Sequence, residues 1–121
     1  MTNEITTARE QFQADLTTAG IRVLEYIPER ITPPIVIISP RSPYLQTNLF
    51  GEYDLNLELV LVAATATNKQ AQEKLDDQIQ AVLLALPAYA QLGSVGQPYA
   101  MQTNNAEYLA ANVSLTLQIT I

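Results

Sequence analysis

The chain contains no cysteine, no histidine and no tryptophan. Without cysteine there is no disulfide and no thiolate nucleophile. Without histidine there is no imidazole base and no imidazole metal ligand. Lack of cysteine fits a reducing cytosol. Charge is scarce as well: Asp, Glu, Lys and Arg make up 15% of the 121 residues, against about 25% in an average chain. Six basic residues stand singly against twelve acidic ones, for a net charge of −6. No basic patch is present to neutralise phosphates, which argues against direct nucleic-acid binding. Residues 1–20 hold no apolar core of a signal peptide, so none is expected. No apolar run approaches the roughly 20 residues of a membrane span. Uncharged Thr, Asn, Gln and Ser take the place of the missing charge, which suits either a plain polar surface or one that meets other protein.

The length predicts one domain over 1–121, long enough to bury about two-thirds of its unfolded surface. Ile5, Ala8, Phe12, Leu16 and Ala19 recur at steps of three and four, which predicts a helix over 3–19. Thr2 or Asn3 can cap its start, and Gly20 sits where a glycine closes a helix. IRVLEYIP then reads as a short strand at 21–27. The run Ile35-Val36-Ile37-Ile38 has no polar alternation, so it should be buried on both faces. Pro33 and Pro34 precede it, and Pro40 and Pro43 follow. Because proline cannot donate to a ladder, these four are expected at strand ends or on an edge.

The segment 40–53 reads as a long loop or the tip of a hairpin. Its Tyr44, Leu45, Leu49 and Phe50 either fold back onto the domain or await a partner. YDLNLELVLVAAT predicts a strand at 53–64, with Leu55, Leu57, Leu59 and Leu61 on one face and Asp54, Asn56 and Glu58 on the other. Val60 and Val62 turn the second face apolar, so its distal end should be covered. A second helix is expected over about 68–86, opened by a capping box of Thr67 and Gln70 and stopped by Pro87. AYAQLG reads as a loop, and Val95–Met101 as an edge strand marked by Pro98. Residues 107–120 alternate as a long strand, uncharged beyond Glu107, which is either central in the sheet or covered by a partner. The fold class that follows is α+β: a mainly antiparallel sheet of four to five strands, two helices packed on one face, in the order α-β-β-β-α-β-β.

Reactive groupings are sparse. Asp54 and Glu58 lie on one strand face roughly 13 Å apart, too far to share a proton. Asp76 and Asp77 fall on the outer arc of a helix, and Lys69 and Lys74 on a helix surface. GSVG at 93–96 lacks the spacing and the lysine of a phosphate loop. No catalytic, cofactor-binding or metal-ligating set is expected.

Taken in order, these segments resemble the tail terminator proteins of long non-contractile-tailed phages. AGIRVLEYIPERITPPIVIISP is similar to that family's first helix end, strand and proline-flanked strand. SPYLQTNLFGEYDLNLELVLVAAT resembles its Pro-Tyr loop, glycine and long strand. NKQAQEKLDDQIQAVLLAL resembles its second helix, and VGQPYAMQTNNAEYLAANVSLTLQITI its closing hairpin. The resemblance implies a non-enzymatic virion protein at the tail-neck junction, assembled in the host cytoplasm. It implies a homo-hexameric ring seated on the tail tube protein, with a docking face for the head-completion or stopper protein. DNA would pass an acidic or neutral lumen without specific binding, and neither membrane nor cofactor is involved. Arg22, Pro40, Arg41, Tyr44, Leu49 and Phe50 are the expected interface residues. Two other readings stay open: another head-tail connector, neck or tail-completion protein, or a small-molecule binding module with a pocket between sheet and helix.

Overall fold

A computed structural model of the chain describes residues 3–26, 31–47, 51–65, 68–103 and 106–120. Helix α1 spans Glu4–Thr18. Asn3 caps it, its Oδ1 accepting from the Thr6 N–H at 3.0 Å. The C-terminus closes by paired bonds: Gly20 N–H to the Thr17 carbonyl and Ile21 N–H to the Leu16 carbonyl, both 3.0 Å. That geometry needs a left-handed residue at position 20, and Gly20 supplies φ +93°. Phe12 and Leu16 are buried and Ile5 and Ala8 pack partly, whereas Ala19, expected on the same stripe, is exposed.

Of the expected strand at 21–27, the described residues form β1 at Val23–Leu24, and residue 27 lies outside them. It runs parallel to β2 through Val23 opposite Val36 and Leu24 opposite Ile37. On its other side the Gln13 amide of α1 donates to the Val23 carbonyl at 3.2 Å. A helix side chain thus takes an acceptor that a further strand would have used.

Strand β2 runs Ile35–Thr47 and β3 runs Glu52–Ala64. They form a hairpin closed near Gly51, at φ +78°. The expected loop at 40–53 is therefore mostly strand. Pro40 still pairs opposite Leu57, and pairing resumes at Leu45 opposite Leu55. Between them, Arg41, Ser42, Pro43 and Tyr44 lie opposite Asn56 alone. Pro33-Pro34 and Ser42-Pro43 are cis. The prolines flanking Ile35–Ile38 thus lie before the strand and on its outer edge, where a missing N–H costs no ladder bond.

Helix α2, Lys69–Ala85, starts one residue later than the expected capping box. Asn68 is the cap, its Oδ1 accepting from the Ala71 N–H at 2.9 Å; Thr67 lies outside the described residues. Leu86 turns extended, at ψ 129°, before Pro87. The expected loop at 88–93 is instead largely β4, Ala90–Val95. Strand β5, Tyr99–Thr103, follows after a break at Gly96–Pro98. Strand β6, Ala106–Thr120, lies between β3 on one side and β4 and β5 on the other, so the long terminal strand is central.

The result is α+β, with two helices and a six-stranded mixed sheet in the path β1-β2-β3-β6-β4, β5 also pairing with β6. One more strand and one parallel pair separate it from the expected order. The main core lies between helices and sheet: Phe12, Leu16, Leu75 and Val82 meet Val36, Ile38, Leu55–Leu61 at alternate positions, Val113, Leu115 and Leu117. A smaller cluster of Ile31, Ile35, Ile37, Val62, Tyr108 and Ala110 covers one end of the opposite face. This gives the Ile35–Ile38 run its cover on both sides and caps the distal end of β3, as the apolar turn at Val60 and Val62 predicts.

Candidate interaction surface

The rest of the outer sheet face carries polar side chains in register: Asn56 opposite Thr116, Glu58 opposite Ser114, Asp54 opposite Gln118. Asn56 differs from its neighbours, being only 3% exposed. Its Nδ2 donates to the Pro43 carbonyl at 2.7 Å and to Gln46 Oε1 at 3.0 Å. Its Oδ1 accepts from Thr116 Oγ1 at 2.8 Å and from Arg41 Nη2 at 3.3 Å. One amide therefore ties the irregular stretch of β2 to β3 and β6. The strand alternation places Asn56 on the polar face, but its burial was not visible there, because the residues that cover it belong to a stretch read as loop. The signal was a single amide in an apolar strand, close to prolines that leave carbonyls without ladder partners.

Arg41 lies across this face. Its Nη2 reaches Asn56, the Leu115 carbonyl and Thr116 Oγ1, the last two at 3.4 Å. All these acceptors are neutral. Its Nε is buried and has no hydrogen-bond partner among the described residues. A buried unpartnered donor costs about 1–3 kcal/mol.

Tyr44 turns to the helix side instead. Its hydroxyl accepts from Arg9 Nη1 at 2.9 Å, and Arg9 Nε lies 3.7 Å from Glu25 Oε1. These three groups rim a cleft of about 430 Å³ whose walls include Ile38, Pro40 and Leu57. Tyr44 folds back on the domain, so one of the two readings of this segment holds for it. Arg22 stands apart, donating to the Thr32 carbonyl at 3.4 Å. Leu49 and Phe50 lie outside the described residues. Of the six expected interface residues, Pro40, Arg41 and Tyr44 thus share one strand, but Arg41 and Tyr44 make their contacts on opposite faces of the sheet.

Two tyrosines carry shifted titrations. Tyr99 donates to Asn112 Oδ1 at 2.8 Å. Burial, and then the charge of Glu58, push its pKa up, against the opposing pull of the Asn112 bond. Tyr89 donates to Asp15 Oδ2. Burial, that bond and the Asp15 charge hold its pKa above the usual range for a phenol. Both groups keep their protons longer folded than unfolded. Their contribution is complete below the unfolded value of 10.0 and is lost as pH rises above it. Thermal unfolding between about pH 9 and about pH 11 should show a falling Tm, and Tyr89→Phe with Tyr99→Phe should flatten the fall. An unchanged slope in the double variant would contradict this assignment.

Among the described residues no group of three or more acidic side chains is placed to hold a metal ion, and no helix is long and apolar enough to cross a membrane. What the arrangement offers is a weakly charged sheet face with an irregular strand held to it by the Asn56 bonds. The chain matches no protein-family model and no curated protein.

Proposed function

We propose that the chain is a structural protein of a phage virion that forms a ring on the end of the tail tube. There it stops tube growth and presents a face to the head-completion proteins. The observation that carries this reading is the element order: helix, short strand, long proline-edged hairpin, helix, and then the strands β4, β5 and β6. Apart from the additional strand β4, that order agrees with the one the resemblance implies. The low surface charge and the polar, nearly neutral outer face suit a subunit that contacts protein on several sides. A net charge of −6 suits a lumen through which DNA slides without sticking. Such a protein needs no reactive side chain, and none is assigned.

The test is a tube-growth assay with purified tail-tube subunits. Adding the protein should halt elongation, with six-fold density at tube ends in negative stain. The double variant Pro40→Ala, Pro43→Ala should keep its Tm within a few degrees but lose capping, because the braced edge loosens. Tubes that grow unchanged in the presence of the native chain would overturn the proposal. The cleft between α1 and β2, rimmed by Arg9, Glu25 and Tyr44, favours a second reading, a small-molecule binding module. It gains weight if the chain neither caps tubes nor forms rings.

A further inference from the structure

We infer that the outer edge of β4 is a pairing site for a second copy of this chain, β4 against β4 in antiparallel fashion. The inference does not rest on the capping reading. A two-fold pair closes with two chains and is not a ring contact.

Sheet edge is formed among the described residues by β1 and the outer part of β2 on one side and by β4 and β5 on the other, and the first side is guarded. At β1 the Val23 carbonyl is taken by Gln13, and the strand is only two residues long. Along β2, Pro40, Pro43 and the irregular stretch between Pro40 and Leu45 interrupt the row of donors beyond Ile38. These are the devices by which natural sheets refuse another strand. Strand β4 has neither proline nor charge. Gly93, at its bulge, adds no side chain that would block approach.

Charge points to the occupant. From Gln78 to Ala106 there is no Asp, Glu, Lys or Arg, so all twelve acids and six bases lie outside this stretch. Two copies of a chain with net charge −6 repel across most of their surface, but not here. An uncharged edge also offers nothing to recruit a basic partner. The same stretch holds Leu84, Tyr89, Leu92, Val95 and Tyr99, which among the described residues are all the large exposed apolar ones except Tyr26. Leu92 lies opposite Leu115, and Val95 opposite Val113. Leu115 and Val113 are fully buried under the helices, while Leu92 and Val95 are 46% and 37% exposed. The apolar inner face therefore continues onto β4 beyond its cover. In a two-fold pair the Leu92 and Val95 side chains of both copies share that face as cross-strand neighbours. Because β1 and β2 are guarded, the side formed by β4 and β5 is also the one a second copy has to offer, and within it β4 carries the exposed pair Leu92 and Val95.

A contact this size is small, so the pair is reversible. Sedimentation equilibrium of the full chain over a range of concentrations should show mass rising from one chain toward two. Leu92→Lys with Val95→Lys sets like charges opposite one another and should raise the midpoint at least about tenfold with little change in Tm. Because the chain lacks cysteine, single thiols report directly. Ser94→Cys or Val95→Cys should oxidise to a covalent pair, and Ser42→Cys on the β2 edge should not. Should the double variant fold poorly, the thiol comparison alone decides. A monomer at every concentration, or pairing through Ser42→Cys alone, would overturn the inference. A six-chain species unaffected by the lysines would also overturn it, while leaving the ring reading intact.

Discussion

Replacing Asn56 with alanine should lower stability by about 2–4 kcal/mol, a large fraction of a domain's total of about 5–15. The side chain is buried, and all four of its bonds go to different residues. Alanine strands the Pro43 carbonyl and leaves Arg41 and Thr116 short of an acceptor. Arg41 already carries one buried donor without a partner, so it has little room to compensate. The loss in Tm should be roughly 10 °C for a chain of this size. Asn56→Asp isolates the donor half: it can still accept from Thr116 and Arg41 but cannot donate to Pro43 or Gln46. If the network acts as a unit, Thr116→Val should cost less in the alanine background than in the native chain, with a coupling of about 0.5–3 kcal/mol. Additive effects, or a Tm for Asn56→Ala close to the parent's, would mean that the irregular strand stands without this amide.

The same residues explain which parts of the fold were legible from the sequence. Helix α1 and its glycine stop, the strand at 53–64 and the long terminal strand could be read because each has one periodicity sustained over many residues. The lack of charge beyond Glu107 left β6 either central or covered by a partner, and its pairing with β3, β4 and β5 decides for the first. Strand β4 was missed because Ala90–Val95 has little alternation, and its bulge at Gly93 breaks what there is. The second half of β2 was missed because prolines signal loops. Only the partner strand shows that Pro40 and Pro43 sit on an edge where an amide from β3 takes up the Pro43 carbonyl. The expected interface was legible only as a segment. Strand alternation through an irregular stretch cannot be counted from sequence, so the opposite directions of Arg41 and Tyr44 were out of reach.

Phe12→Ala carries the largest expected single effect in the core, about 3–5 kcal/mol. Phe12 is fully buried and, with Leu16, is the main anchor of α1 on the sheet. A helix of this length is marginal in water by itself. Loosening its anchor should therefore melt the helix before the sheet. Four contacts depend on it: Gln13 to the Val23 carbonyl, Arg9 to Tyr44, Arg9 to Glu25, and Tyr89 to Asp15. Hydrogen exchange should show α1 amides losing protection first, while β3 and β6 amides keep most of theirs. Simultaneous loss across all elements would show instead that helix and sheet form a single cooperative unit. The two outcomes also differ in solution behaviour. If α1 leaves first, the β1 edge that Gln13 occupies is uncovered while the sheet persists, and a chain with two open edges can add strands at both. Growth into larger assemblies, in place of a discrete species, is then the expected companion of the exchange result, and Gln13→Ala alone should show a weaker form of it.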